Sequence, residues 1–245
     1  RHVTRWTLGA FERSTGEGTL TAAMPAGVTA MGPAVPADAE EAAGVRAMMQ
    51  GPFSPHISFG PLPVAGDLAY TFAGDAIEFA RSRFATEDTF VEFDGRTAWG
   101  PESRLPFHVW SRNWQESHRF LAGIMTMVAA PTGAVPIDGV GEFDGVMLGD
   151  LASPRVEGSF TGQAMRAWNV SWGTLEGKAV IEDSYAFVSE AAMTRGASRL
   201  DVDGQFALGY PRQDGGTEID ARIRASEWPL TDFRAAFELH DYPVF

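Results

Sequence analysis

The stretch Phe90-Val-Glu-Phe-Asp-Gly-Arg-Thr-Ala-Trp99 carries the pattern that decides the fold of this 245-residue chain. Within it, Val91 and Phe93 alternate with Glu92 and Asp94. Successive side chains of a β-strand point to opposite faces of the sheet, so this alternation predicts a strand with one apolar and one charged face.

A second copy of the pattern lies 109 residues further along the chain, in Arg199-Leu-Asp-Val-Asp-Gly-Gln-Phe-Ala-Leu208. The alignment places Asp94-Gly95 on Asp203-Gly204. An internal repeat of this kind predicts two related units. The segment Asp201 to Gly204 lacks the closing acidic residue of a calcium loop, and we interpret it as a β-turn.

Alternating runs also occur in the sequence around these two stretches. They cover residues 68–72, 77–79, 107–109, 168–172, 175–181, 185–187 and 219–225. Turn residues such as Gly74-Asp75 separate the runs, and no long amphipathic helix lies among the strands of the second half. Short strands at this spacing are typical of an all-β protein.

The first 63 residues have a different character. Residues 19–37 carry no charge, but they contain three prolines and two glycines, which favours a loop over a membrane span. Asp38–Met49 has an N-capping aspartate and predicts a short helix. We therefore expect an irregular N-terminal segment over 1–63, a first β unit over 64–138 and a second over 139–245.

Composition excludes several classes of function. The net charge of −13 makes the chain a poor binder of nucleic acid, because phosphate contacts need an excess of Lys and Arg. The absence of cysteine excludes disulfides, thiol catalysis and cysteine zinc sites. The five histidines have no metal-ligand spacing, and no nucleophile motif or phosphate loop is complete. We expect no catalytic residue, no metal and no cofactor.

Two segments resemble a known family. Phe143-Asp-Gly145 and Leu151-Ala-Ser-Pro-Arg-Val-Glu-Gly158, followed by the strands of 168–181, are similar to the repeated unit of the AsmA/TamB family. Leu200-Asp-Val-Asp-Gly204 and Trp228-Pro-Leu230 fit the same style. The resemblance covers roughly residues 64–245 and rests mainly on glycines and alternation.

The resemblance implies a fold and a function. Members of the family are long bacterial envelope proteins that are anchored in the inner membrane and extend through the periplasm. Their strands form a curved, taco-like groove with an apolar inner face, which is thought to carry phospholipid between the inner and outer membranes. TamB is also linked to outer-membrane protein assembly, which implies an Omp85-type partner for a full-length protein. This chain would be an internal fragment of such a protein.

On this resemblance, the apolar positions of the alternating strands would line the groove and contact phospholipid acyl chains. The predicted lining residues are Leu68, Tyr70, Phe72, Val91, Phe93, Trp99, Trp168, Val170, Trp172, Leu200, Val202, Phe206, Ile219 and Ile223. The alternative for each of these residues is ordinary core packing between two sheets.

Two other functions are compatible with the same pattern. A structural β-solenoid or β-sandwich domain of a surface or adhesin protein would show the same alternation around a dry core. A carbohydrate-active enzyme could stack sugars on some of the seven tryptophans. The groove is the preferred hypothesis, since each buried CH₂ of an acyl chain contributes about 0.8 kcal/mol.

Overall fold

The computed structural model describes residues 1–32, 63–114, 137–151, 153–167, 170–183, 185–207 and 218–236. Within these ranges the chain forms twelve strands in one curved, unclosed antiparallel sheet, with one short C-terminal helix. The predicted all-β fold is confirmed. The helix predicted over Asp38–Met49 lies outside the described residues, as does Trp168.

Each strand pairs with the next one along the chain, so the order in the sheet is the order in the sequence. The strands are β1 (His2–Thr7), β2 (Ala10–Ala22), β3 (Ala65–Ala73), β4 (Ala76–Ala85), β5 (Thr89–Ala98), β6 (Ser103–Ser111), β7 (Ile137–Asp150), β8 (Ser153–Ala167), β9 (Val170–Glu182), β10 (Tyr185–Arg195), β11 (Ser198–Ala207) and β12 (Ile219–Ser226). The helix α1 spans Leu230–Ala236. β1 and β12 are the two edges of the sheet.

The prediction of an irregular segment over 1–63 is wrong for residues 2–22. β2 extends the sheet by pairing with β3 from Thr15↔Ala73 to Ala22↔Gly66. The loop predicted from residue 19 therefore starts later, after β2 ends. On the apolar face of β2, Gly16, Gly18 and Ala22 are small and Leu20 is large, so the strand lacks the alternation of large apolar residues that marks the others.

The longest strands are β7 and β8, of 14 and 15 residues. The boundary predicted between residues 138 and 139 falls inside β7. The sheet continues across it, because β6 pairs with β7 from Ser103↔Gly149 to Ser111↔Gly141. The division of the chain into two units stays a prediction.

The sequence repeat corresponds to a repeat in strand register. In the β4–β5 pair the register shifts between Phe79 and Ser82, and in the β10–β11 pair it shifts between Val188 and Ala191. Both shifts are β-bulges, and they lie 109 residues apart, as the sequence alignment does. A bulge adds one residue to one strand, so side chains beyond it change face relative to a strict period of two.

The repeated Asp-Gly dipeptide serves these bulges. Arg81 has a φ of 43° and its backbone N–H donates to Asp94 Oδ2 at 2.8 Å. Glu190 has a φ of 52° and its N–H donates to Asp203 Oδ1 at 3.1 Å. The interpretation of Asp201 to Gly204 as a β-turn is wrong, because these residues lie inside β11. Within this segment, the side chain of Asp203 accepts the backbone N–H of Glu190, the residue at the bulge.

Cross-strand register separates the side chains into two faces. The row Phe84↔Val91↔Val109↔Phe143↔Phe160 crosses β4 to β8 on one face, which we call the apolar face. Opposite residues on neighbouring strands share a face, so this row alone links five strands by apolar contact.

The neighbouring row, one residue away in each strand, is polar. It runs Arg83↔Glu92↔His108↔Asp144↔Ser159, and we call this side the polar face. An antiparallel sheet with one apolar and one solvated face accounts for the alternation in the sequence.

Buried residues form two separate clusters at different places in the sheet. Leu200, Val202 and Trp228 form one cluster, against which Phe233 of α1 packs. Met31 and Phe90 belong to the other cluster, on the polar side of β5. α1 therefore covers the apolar face only near β9 to β11.

We predict that Asp203→Ala lowers the free energy of unfolding by about 1 kcal/mol, because the N–H of Glu190 loses its acceptor. Asp203→Asn keeps an acceptor oxygen and should lose much less. Asp220→Ala makes the same chemical change on the neighbouring exposed strand and is the control. Guanidinium unfolding of the three variants measures the effect. Equal losses for Asp203→Ala and Asp220→Ala would contradict the role given to Asp203.

Candidate functional site

The candidate site is the apolar face, whose middle consists of aromatic rings. Phe79 and Phe93 meet edge to face with centroids 5.2 Å apart. Phe107 and Phe143 stack on neighbouring strands at 5.7 Å. Such ring pairs contribute about 0.5–1.5 kcal/mol beyond the area they bury.

Glycines on the same face leave space for these rings. A Cβ added at Gly158 would lie 2.8 Å from Phe143 Cε1, and one at Gly145 would lie 3.0 Å from Phe107 Cζ. A Cβ at Gly177 would lie 2.7 Å from Phe160 Cζ. The rings therefore lie along the sheet, above the glycines of neighbouring strands, instead of standing upright from it.

The same arrangement occurs at the N-terminal end of the sheet. A Cβ at Gly18 would lie 2.6 Å from Tyr70 Cζ, and the ring of Phe72 covers Gly16 in the same way. His2 stacks against Tyr70 and donates or accepts a 2.9 Å hydrogen bond to its hydroxyl through Nδ1. β1 and β2 thus extend the apolar face beyond the region in which the sequence predicts it.

The apolar face also carries hydroxyl groups of serine and threonine, and several of them form hydrogen bonds within the sheet. Thr89 Oγ1 and Ser111 Oγ lie 2.9 Å apart, and both residues are buried. Ser82 Oγ donates to the carbonyl of Ala69 at 3.3 Å. These three hydroxyl groups are satisfied within the sheet, whereas the buried Thr97 Oγ1 on the same face has no hydrogen-bond partner among the described residues.

Most of the aromatic face is not covered by protein in the described ranges. Tyr70, Phe93 and Phe143 are only half-buried, although each lies within the sheet. At the two ends, Leu20 is 57% exposed and Ile223 is 41% exposed. An exposed apolar surface that runs across strands marks a surface for a ligand, a membrane or another protein.

Ten of the fourteen predicted lining residues lie on this face. They are Leu68, Tyr70, Phe72, Val91, Phe93, Leu200, Val202, Phe206, Ile219 and Ile223. Two of them, Leu200 and Val202, are buried in a cluster with Trp228, so they lie under the C-terminal segment and not in the open part of the face.

The remaining four predicted residues differ in their positions. Trp172 stacks on Trp228 at 5.9 Å and packs into the same buried cluster. Val170 is buried at the start of β9. Trp99 lies just past the end of β5 and is 59% exposed. Trp168 lies outside the described residues.

Several ring-bearing positions were missing from the predicted lining. Phe79 and Phe84 share the apolar face although they have opposite parity, because the bulge at Arg81 lies between them. Phe143 and Phe160 were missed because glycine occupies the alternate apolar positions around them. The signal that could have found them is the alternation of phenylalanine with glycine on one parity.

The polar face carries ion pairs between neighbouring strands. Arg83 Nη2 lies 3.1 Å from Asp67 Oδ2, and Lys178 Nζ lies 2.7 Å from Glu190 Oε2. An open cleft of about 1180 Å³ crosses this region, and its lining includes Asp67, Arg83 and Lys178. Exposed pairs of this kind contribute only about 0.2–1 kcal/mol each, so their main effect is to fix which charges face each other.

The described part of the chain has neither a cluster of metal-ligating side chains nor a helix suited to cross a membrane. No group of three or more His, Asp or Glu side chains there is placed to hold a metal ion. No helix in those ranges is long and apolar enough to cross a membrane. No family model, curated protein or solved structure matches this chain.

We predict that Gly158→Ala destabilises the sheet by about 1–3 kcal/mol, because its methyl group would meet both the Phe143 ring and the facing backbone at Gly145. Gly100→Ala is the matched control, since a Cβ there meets nothing within 4 Å. Chemical denaturation measures the stability of both variants, and near-UV circular dichroism in the phenylalanine bands reports on ring packing. If Gly158→Ala were as stable as Gly100→Ala, the rings would not lie over the glycines.

Proposed function

We propose that the apolar face of this chain shields the acyl chains of phospholipids and so takes part in lipid transport between the membranes of a bacterial envelope. The observation that supports the proposal is the apolar face itself. It extends from β2 to β12, and in the described residues only α1 and Trp228 pack on it, at one end.

The physical argument concerns what can cover such a face. The apolar side of a sheet is stable only when another layer is packed against it. Acyl chains are suitable for this purpose, because they are flexible, need no hydrogen bonds, and gain about 0.8 kcal/mol for each CH₂ that leaves water. The half-buried rings of Phe93, Phe107 and Phe143 offer contact surface of this kind.

The polar face complements this role. It keeps its own side of the sheet in water, and the net charge of −13 repels anionic membrane surfaces. A lipid on the apolar face would then be held by apolar contact alone, which favours movement along the face over tight binding at one point.

The resemblance to AsmA/TamB proteins supplies the wider setting of the proposal. In that setting the chain is a periplasmic part of a longer protein that is anchored in the inner membrane and works with an Omp85-type partner at the outer membrane. A curved, unclosed sheet with one apolar face is the feature that supports this setting. The β-sandwich alternative needs a second sheet on the apolar face, whereas the twelve described strands belong to one sheet, and we do not propose it.

We predict that the chain, purified from bacterial cells without detergent, carries phospholipid that organic extraction and mass spectrometry detect. Phe160→Glu, which puts a carboxylate on the apolar face, should lower the lipid yield about tenfold. Ser159→Glu adds the same charge one residue away on the polar face, where Ser159 is exposed, and should leave the yield unchanged.

Two results would count against the proposal. A folded chain without extractable lipid would indicate a face that is covered by protein. Equal lipid yields from Phe160→Glu and Ser159→Glu would show that the lipid binds elsewhere. Circular dichroism of both variants separates loss of lipid from loss of the sheet.

A further inference from the structure

Residues 227–236 lie across one end of the apolar face, and we call them the strap. The chain leaves β12 at Glu227, and Trp228 and α1 then pack on the side of the sheet that carries Leu200 and Val202. Leu200 is 1% exposed and Trp228 is 7% exposed. The strap therefore closes a part of the face that would otherwise be open.

The strap contacts the sheet through few of its side chains. The ring of Trp228 stacks on Trp172 of β9, with the centroids 5.9 Å apart and the planes 21° apart. Phe233 of α1 packs against the same buried cluster. Asp232, also in α1, forms an ion pair with Arg195 of β10. Two aromatic rings and one carboxylate thus connect the strap to β9, β10 and β11.

Arg195 is the residue that joins the strap to two strands. Its Nη2 donates to Asp232 Oδ2 at 2.5 Å, and its Nη1 donates to the backbone carbonyl of Ser171 in β9. The guanidinium carbon lies 4.8 Å from the centroid of the Trp228 ring. The side chains of Arg195 and Asp232 are 28% and 21% exposed, and partly buried charges are screened less by salt than exposed ones. We call the pair of Arg195 and Asp232 the latch.

The closed position of the strap also has unfavourable features. Glu227 has a φ of 52°, a left-handed conformation that is strained for a residue with a Cβ. Trp228 Nε1 and Ser171 Oγ are buried and have no hydrogen-bond partner among the described residues, which costs free energy. None of the seven residues of α1 is buried. Release of the strap would therefore expose little of α1 that is not already exposed.

The surface under the strap continues the open part of the apolar face. Phe160 belongs to the aromatic row of the open part, opposite Phe143, and it also packs against the cluster that contains Leu200 and Val202. An acyl chain that extends from this row towards β11 would need the space that Trp228 occupies. The strap and such a ligand compete for the same surface.

We propose that the strap is a displaceable cover: an acyl chain on the apolar face takes the place of Trp228 over Leu200 and Val202, and the latch of Arg195 and Asp232 sets how readily this happens. The inference rests on the proposed function and concerns the regulation of the same site. When only the open form binds, the apparent affinity for the ligand falls in proportion to the fraction of molecules that are open. A weaker latch should therefore strengthen lipid binding.

The test compares Asp232→Asn with the unchanged chain and with Asp220→Asn as the matched control. Asp232→Asn removes the charge that Arg195 pairs with and keeps the size of the side chain. Asp220 is exposed on β12 opposite Gln205, whereas Arg195 lies opposite Ser198 at the other end of β11. The probe is phosphatidylcholine with a spin label on its acyl chain, which quenches the fluorescence of tryptophans that it contacts.

The latch should change the affinity for this probe. We expect the dissociation constant of Asp232→Asn to be about fivefold lower than that of the unchanged chain, since loss of one ion pair shifts the strap towards its open form. Asp220→Asn should bind the probe like the unchanged chain. Arg195→Met removes the cation and keeps an unbranched side chain beside Trp228, so it should give the same gain and tests the latch from its other side if Asp232→Asn weakens α1.

The position of Trp228 provides a second readout. Stacked indole rings couple excitonically, so the pair of Trp172 and Trp228 should give a far-ultraviolet circular dichroism couplet that Trp228→Phe lacks. Saturating unlabelled phosphatidylcholine should abolish this couplet in the unchanged chain, because the strap leaves the sheet.

Three outcomes would overturn the proposal, and they separate it from the proposed function. Lipid that binds while the couplet of Trp172 and Trp228 persists would show that the strap stays closed, and it would leave the role in shielding acyl chains intact. Equal affinities of Asp232→Asn and Asp220→Asn for the probe would show that the latch does not control binding. Folded chains that bind no lipid in any variant would contradict both proposals together.

Discussion

The register of antiparallel pairing is the constraint on which the rest of this structure depends. A slip of one residue would move every side chain of a strand to the other face, so the separation into an apolar and a polar face requires each of eleven strand pairs to hold its register. Two bulges, at Arg81 and Glu190, shift that register in a controlled way. Asp94 and Asp203 hold the bulges by accepting their free N–H groups.

The apolar face follows from this register together with the pairing of rings and glycines. Phe107, Phe143 and Phe160 lie along the sheet because glycines on neighbouring strands give them room. The result is a surface of aromatic contact that is half-buried without a second protein layer over most of its extent. This is a suitable surface for flexible apolar ligands, and it is the physical basis on which we infer a role in shielding acyl chains.

The charges of the polar face affect which strands pair and in which register. Alternating signs across strands, as in the row through Arg83, Glu92 and His108, add little free energy for each exposed pair. They do disfavour wrong registers and wrong neighbours, because a slip brings like charges together.

The sequence by itself determined the all-β class, the alternation of two faces and the 109-residue repeat, since a period of two is a local property of the chain. It did not reveal β2, whose apolar face carries mostly small residues. It also missed the shared face of Phe79 and Phe84, because a bulge changes parity between them. It also could not separate open from covered positions: Leu200 and Phe93 look alike in sequence. Only the tertiary structure decided this, because Trp228 returns over Leu200 through contacts between residues distant in the chain.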